Sequence, residues 1–365
     1  MRAYVSAPSL RASLPLFVSV AATFFMFKAF AGSFHQSMPQ WISTTHPPSD
    51  SITSENRECQ WLPANLHESA KSLQPLLHPE FPLLEAWLRP DAARYGPAPK
   101  EIPAVLRNQF TLDRRIPESE FFFDQAYLGG SALVSEWTEQ MIDEYRREVR
   151  ERKPKFNYVM EHVYAAMDAQ SHLIRGKRGL VIGSENPWLE ALLLEYGARH
   201  ISTLEFGEIK TDHPNIDTFT PKEFVSGILK ETIPKYDFVF TYSSLEHDGL
   251  GRYGDILNPI GDLQTMARML TVVVPGGFAF VGFPCCHDKL EWNAHRIYGP
   301  LRLPKMFAGW RVAGIYPEDA LQVTDQGYGF QPVFLLQNTF GCVNGGISLP
   351  HQPWLTFAPP KGLHI

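Results

Sequence analysis

Tyr236–Asp248 reads YDFVFTYSSLEHD, an apolar run that passes without a break into two serines, a carboxylate and an imidazole. Phe238, Val239 and Phe240 are continuous rather than alternating in polarity, as in a strand covered on both faces. Some thirty residues on, Val274-Pro275-Gly276-Gly277 leads into a second apolar run, Phe278–Phe283. Two such strands imply a parallel sheet, and ligands on open α/β sheets sit outside the carboxyl ends of the strands. Ser243, Ser244, Glu246 and His247 fall at such an end.

Upstream of this pair the pattern is β-α-β. Gly179–Ile182 is a short apolar strand ending in Gly183. Pro187–Tyr196 is a helix with proline in its first turn and Gly197 beyond its end. His200–Leu204 is a second strand that runs into Glu205, Ile216–Phe219 a weak third, and Pro221–Leu229 a helix. Asp237–Thr241 is the strong fourth strand, Ile260–Leu270 a helix and Phe278–Phe283 the fifth strand. Trp310–Ile315 and Pro332–Gln337 read as edge strands. Ahead of these, Leu133–Arg152 and Phe156–Leu173 read as two helices, the second with Val159, Val163, Ala166, Met167 and Ile174 at helical spacing and Gly176 as its stop. Strands alternating with helices predict an α/β fold, a doubly wound and mostly parallel sheet of the Rossmann type. No internal repeat occurs.

Three sites converge if the sheet is wound this way. Gly183, Ser184 and Glu185 form the turn between strand one and its helix, where a glycine admits a ligand to the backbone and the helix start offers free N–H groups. Glu205 closes strand two about 20 residues past Gly183, the spacing of a ribose-binding acid, and a carboxylate accepts hydrogen bonds from two vicinal hydroxyls at once. The Ser243–His247 stretch is the third. The turn lacks the second and third glycines of G-x-G-x-x-G, which speaks against a nicotinamide dinucleotide.

The N-terminus has a different character. Arg2 and Arg11 precede the uncharged run Leu14–Phe27, then come Lys28 and Ala29-Phe30-Ala31. Two readings stand side by side: a signal peptide cleaved at the small-residue site Ala29-x-Ala31, or a signal anchor over Ala12–Ala31 with Lys28 at its far end. Either predicts the secretory route, as a secreted chain or a single-pass type II membrane protein whose bulk is lumenal, with the membrane a partner if the segment stays uncleaved. The expected organisation is therefore 1–31 targeting segment, 32–130 irregular stem and lead-in rich in Ser, Thr, Pro and His, 131–345 α/β domain, and 346–365 tail.

The 365-residue chain is 44% hydrophobic and 20% charged, with formal net charge −6, which gives no overall attraction to nucleic acid. The basic run Arg146–Lys155 alternates with acids and reads as a solvated helix face. Four cysteines, Cys59, Cys285, Cys286 and Cys342, suit an oxidising compartment by their even number. The adjacent Cys285 and Cys286 are expected not to pair with each other. Cys-Cys-His-Asp at 285–288 lacks the spacing of a zinc site, and no Asn-x-Ser/Thr sequon occurs.

From about residue 155 to 340 the chain resembles class I S-adenosylmethionine-dependent methyltransferases. YDFVFTYSSLEH is similar to their strand-four segment D-x-V-x-x-x-x-x-L-E-H, and MARMLTVVVPGGFAFVGFP to their R-x-L-x-P-G-G-x-hydrophobic segment. More narrowly, SLEHDGLGRYGD with NPIGDL and NAHRIYGPLRLP resembles a methyltransferase-like family of uncharacterised function with many nematode members, over roughly residues 120–345. The resemblance implies S-adenosylmethionine as cofactor, with Gly183, Ser184 and Glu185 lining its methionine part, Glu205 on the ribose, Asp217 facing the adenine, and Ser243 and Ser244 beside the sulfonium. Glu185-Asn186-Pro187 stands where the family has glycines. Some methyltransferases carry E-x-x-E-H as metal ligands; here Ser243 takes the first position, and no metal site is assigned.

Methyl transfer to a hydroxyl is an in-line displacement that needs alignment and a base. His247 is the first candidate base, with a helix-capping or packing role as the alternative, and His295 is the second. Arg252, Tyr253, Asp255 and Asn258 crowd one polar loop and read as substrate contacts, with a self-satisfied loop as the alternative; Asn293 and Arg296 follow strand five, where the resemblance implies substrate-binding elements. The first functional reading is O-methylation of a glycan or small molecule. The second is a non-catalytic methyltransferase-like binding protein. The third is a glycosyltransferase, against which stands the absence of any Asp-x-Asp.

Overall fold

The central strand of the molecule is Tyr236–Tyr242, buried along almost its whole length. The computed structural model describes residues 99–122, 135–154, 160–253, 255–322 and 330–339, with the backbone of Leu62–Pro63 paired in parallel to Gly346–Ile347. The expected targeting segment and most of the expected stem and tail lie outside the described residues. Among those described, no helix is long and apolar enough to cross a membrane.

In chain order the elements are α1 (Ala104–Phe110), β1 (Glu118–Phe121), β2 (Ser135–Trp137), α2 (Glu139–Glu151), α3 (Met160–Gln170), β3 (Arg178–Ile182), α4 (Trp188–Glu195), β4 (His200–Leu204), β5 (Ile209–Thr211), β6 (Ile216–Phe219), α5 (Pro221–Leu229), β7 (Tyr236–Tyr242), α6 (Gly261–Val272), β8 (Val273–Gly282), β9 (Lys289–Asn293), β10 (His295–Ile297), α7 (Leu303–Met306), β11 (Trp310–Tyr316) and β12 (Val333–Asn338). Seven strands form one sheet in the order β11-β12-β8-β7-β3-β4-β6. The pairs β8–β7, β7–β3, β3–β4 and β4–β6 are parallel, whereas β12 runs antiparallel to both its neighbours. The chain winds outward from β3 in one direction and from β7 in the other. Their shared boundary is the switch point at which open α/β sheets bind ligands.

Side-chain alternation explains why both faces are covered. Leu180, Ile182, Val239 and Val281 pack on one face with Phe224 and Val225 of α5 and Leu263, Met266 and Leu270 of α6. Val181, Phe238, Phe240 and Phe280 pack on the other with Val163 and Met167 of α3 and Leu189, Leu192 and Leu193 of α4. Neighbouring residues thus point to opposite sides while both sides stay apolar, the signature of a doubly covered sheet. Helix α5 begins with a full capping box, Thr220 and Glu223 each bonding the other's backbone, with proline in the first turn.

The structure corrects several expectations. The stretch 133–152 is not one helix: Ser135–Trp137 is a strand paired with β5, and Thr138 caps the following helix by accepting the Met141 N–H. Residues 332–337 do not form an edge strand but lie between β8 and β11. The interior position accounts for the near-complete burial of Val333, Phe334, Leu335 and Leu336. Strand β8 begins at Val273, so Pro275-Gly276-Gly277 lies within it, where its register with β7 shifts.

Part of the expected lead-in, residues 99–121, packs into the α/β unit. Strand β1 pairs in parallel with β9, which pairs antiparallel with β10. Phe110 meets the Trp292 ring edge-on at 5.2 Å, and Trp292 Nε1 donates to Pro99 O at 3.0 Å. Cys285 and Cys286 are joined in a disulfide, against expectation; the peptide bond between them is cis and their Cα atoms are 3.2 Å apart, closer than a trans bond allows. Cys59 and Cys342 lie outside the described residues.

Candidate functional site at the carboxyl ends of the strands

Gly183, Glu205 and Ser243 continue the carboxyl ends of β3, β4 and β7, three adjacent strands. Gly183 has φ +73°, a conformation natural to glycine, and its N–H donates to Leu204 O at 3.1 Å. A Cβ here would lie 2.0 Å from Ser244 Oγ, so the loops after β3 and β7 touch across this glycine. Glu205 is half-buried, and its carboxyl accepts the Phe206 N–H at 2.7 Å with further bonds from the Gly207 and Ser184 N–H groups. Burial and the nearby Glu185 raise its pKa, and the three N–H groups oppose that rise. Glu185 itself is exposed.

Ser184 turns inward. Its Oγ lies 2.8 Å from Asn186 O and 3.0 Å from Glu190 Oε2, and Thr203 Oγ1 donates to the other Glu190 oxygen at 2.7 Å. Glu190 is fully buried, and burial pushes its carboxyl up to about 7. Asp217 is also placed away from the mouth, which corrects its expected contact with an adenine. It bonds His200 Nε2 at 2.7 Å and Arg178 Nη2 at 3.3 Å. Both partners are the first residues of their strands, so Asp217 serves the amino-terminal edge of the sheet.

Beyond β7 the backbone turns sharply. Ser243 takes φ +53°, a conformation that costs energy for a residue with a Cβ. Its Oγ donates to Glu246 Oε1 at 3.0 Å and receives Gln331 Nε2 at 3.2 Å. Glu246, within the short 3-10 turn Leu245–His247, is fully buried. Burial pushes its carboxyl up to about 8, against the Ser243 hydrogen bond. His247 Nδ1 lies 2.6 Å from Ala294 O and therefore carries the proton, leaving Nε2 as an acceptor 3.7 Å from Glu246 Oε1. Burial, then the Arg252 charge, holds His247 well below the usual histidine range, so the ring is neutral.

The His295 ring stands edge-to-face with that of His247, centroids 6.4 Å apart. Its Nε2 is 3.2 Å from Glu291 Oε2, and this bond, with Lys289 beside it, holds Glu291 down to about 2. Arg252 Nη1 donates to Ala294 O at 3.1 Å and its guanidinium lies 5.0 Å from the Tyr253 ring centre; Tyr253 in turn meets the His247 ring edge-on.

The remaining expected substrate contacts are engaged within the protein. Asp255 accepts the N–H groups of Gly249, Gly251 and Tyr253. Asn258 accepts the Ile260 N–H and donates to Gln264. Arg296 is buried, donating to Asp248 O at 2.6 Å and Asn258 O at 3.4 Å. Asn293 is fully buried at the end of β9. Thus the structure gathers Gly183, Glu205, Ser243, Ser244, His247, His295, Arg252 and Tyr253 around the strand ends, and gives Asp255, Asn258 and Arg296 the work of shaping the loop. Sequence reading missed Gln331, Glu190 and Glu291. Gln331 lies far along the chain, and only its place just before a strand hinted at it. Among the described residues no group of three or more His, Cys, Asp or Glu side chains is placed to hold a metal ion.

Three raised carboxyls contribute to the pH response. Burial lifts Glu190 to about 7, Glu246 to about 8 and Asp248 to about 7, from ordinary values near 4. At these three groups the folded chain binds more protons than the unfolded chain between pH 4 and pH 8, so their contribution to stability falls as pH rises through that window. Urea unfolding at pH 5 and pH 8.5 measures the slope. Glu246→Gln should remove about one proton from its slope; an unchanged slope in that variant refutes the assignment.

Residues 176–327 match the family described as Caenorhabditis protein of unknown function, DUF268, in line with the narrower resemblance to an uncharacterised nematode family. No curated protein matches the chain. Among solved structures it is similar to the N-methyltransferase NodS of Bradyrhizobium japonicum WM9 in complex with S-adenosyl-l-homocysteine (12% identity, TM-score 0.33, 55% of this chain and 99% of that one). It is similar also to the 1,6-didemethyltoxoflavin-N1-methyltransferase of Burkholderia thailandensis (12%, 0.36, 61% and 94%) and to a putative hemolysin of Streptococcus thermophilus (12%, 0.36, 55% and 73%).

Proposed function

We propose that this chain, which carries the DUF268 region over residues 176–327, is a methyltransferase-like protein that binds S-adenosylmethionine. The observation that carries the reading is the meeting of Gly183, Glu205 and Ser243–Ser244 at the carboxyl ends of β3, β4 and β7, on both sides of the switch point. The donor set fits the nucleoside half of the cofactor. Glu205 is held by three backbone N–H groups without being fully buried, which suits a carboxylate that accepts two ribose hydroxyls.

When bound, the cofactor supplies an electrophilic methyl group. The chain's own residues hold and align the acceptor and take up its proton. His247 is suited to the last task, being neutral with its Nε2 unprotonated. His295 is a second acceptor beside it. Arg252 and Tyr253 border the ring of His247 and supply a cationic and aromatic wall for the acceptor. The reaction we propose is O-methylation of a glycan or small molecule in the secretory pathway, reached through the N-terminal apolar segment.

Calorimetry of the full chain with S-adenosylmethionine and S-adenosylhomocysteine tests the reading. Glu205→Ala should weaken binding at least tenfold, since a charged hydrogen bond contributes about 1.5–3 kcal/mol. Folded protein that binds neither compound sinks the proposal. A second reading, a binding protein without transfer activity, is favoured by one observation: Ser184 faces the buried Glu190 rather than the mouth. Binding without methyl transfer to any hydroxyl acceptor would select it.

A further inference from the structure

We propose that Ser243, Glu246 and Gln331 form a binding site for a primary ammonium group. Two buried oxygen atoms near the end of β7, Glu246 Oε2 and Gln331 Oε1, have no hydrogen-bond partner among the described residues. Glu246 is 0% and Gln331 4% exposed, so water does not freely satisfy them. Both side chains already use their other polar atom on Ser243 Oγ, which receives Gln331 Nε2 and donates to Glu246 Oε1. The two unpaired acceptors thus belong to side chains anchored on the same hydroxyl. Ser243 is only half-buried, so the cluster reaches the surface at this residue.

Donor count selects the ligand. A hydroxyl carries one hydrogen and satisfies one of the two oxygens. A primary ammonium carries three and satisfies both. Its charge also matches a carboxylate that has no cationic hydrogen-bond partner among the described residues. The other charged or titratable groups acting on Glu246 are His247, Asp248, Arg252 and Tyr298. His247 is neutral, and the Arg252 guanidinium is engaged with Ala294 O and the Tyr253 ring. Burial raises the Glu246 carboxyl to about 8, and an ammonium partner opposes that rise by favouring the ionised form.

The ammonium belongs either to the acceptor or to the amino-acid end of a bound nucleoside, and the inference stands whether or not methyl transfer takes place. Two ligand pairs separate these sources. The full chain is titrated with 2-amino-2-deoxyglucose against glucose, and with S-adenosylhomocysteine against its analogue lacking the α-amino group. In at least one pair the amine should bind at least tenfold more tightly. That preference should fall below twofold in Glu246→Gln, and Gln331→Met should reduce it severalfold, with folding of each variant checked by thermal unfolding. Equal affinities within both pairs, or a preference that survives both substitutions, overturns the proposal. If S-adenosylhomocysteine does not bind at all, the methyltransferase reading fails, and the sugar pair alone decides the ammonium site.

Discussion

Asp262→Ala should lower the unfolding free energy by about 3–5 kcal/mol, the cost of leaving buried cations without their anion. Asp262 lies in the first turn of α6 and is fully buried. Arg302 grips it with two hydrogen bonds, Nε to Oδ2 at 2.8 Å and Nη2 to Oδ1 at 2.6 Å, and Tyr298 donates to Oδ2 at 3.0 Å. Arg296 Nε is 3.7 Å from the same oxygen. Burial alone would raise the pKa of this carboxyl, but the two guanidinium groups outweigh it and hold the carboxyl below its usual range. Its contribution is thus present above the unfolded pKa near 4 and is lost as pH falls further. The network ties α6 of the main sheet to the segment 295–302 that carries His295. Urea unfolding of Asp262→Ala and Arg302→Lys measures it. The lysine keeps the charge but loses the fork, so an intermediate loss is expected; a loss under about 1 kcal/mol for Asp262→Ala would show that the network is dispensable.

Gly249→Ala should cost about 3 kcal/mol or more, because two penalties coincide. The residue has φ +78°, and a Cβ would lie 2.1 Å from Asn258 O. Backbone cannot swing aside as the end of a long side chain does, and the approach is fixed by Asn258 N–H donating to Gly249 O at 2.8 Å. Conformational strain and overpacking each contribute about 1–3 kcal/mol. The same loop carries Arg252 and Tyr253, so the variant should also shift the histidine resonances of His247 in NMR spectra. Gly207→Ala is the control: nothing lies within 4 Å of the added methyl and its φ is ordinary. Comparable losses in both variants would refute the steric account.

The sheet was legible where local pattern and burial agree. His200–Leu204, Ile216–Phe219 and Pro221–Leu229 have in the structure the bounds their residues imply. Order within the sheet was less legible. Nothing local in Val333–Asn338 says that it enters between two other strands, since placement depends on partners more than fifty residues upstream in β8. The strand before α2 escaped because Ser135-Glu136-Trp137 is too short to show a period. At the site, the residues at strand ends were readable from the alternation of elements alone. The loop carboxylates were not. Asp255 looks like a ligand-binding acid in sequence, and only coordinates reveal that its oxygens are taken by three backbone N–H groups of its own loop. The pairing of Ser243 with Gln331 spans 88 positions and leaves no trace in either neighbourhood.

The late insertion of β12 has a consequence for biosynthesis. Strand β11 touches the rest of the sheet only through β12, and β8 keeps one open edge until β12 arrives. A ribosome releases the chain in order, so β3, β4, β6, β7 and β8 emerge and can assemble while the last piece is still in the exit tunnel. During that interval the nascent chain displays the unpaired N–H and C=O row of a long apolar strand, the kind of edge that recruits other chains. Premature termination anywhere between residues 317 and 332 would leave that edge permanently open. Such truncated products should be the ones that cellular quality control must remove.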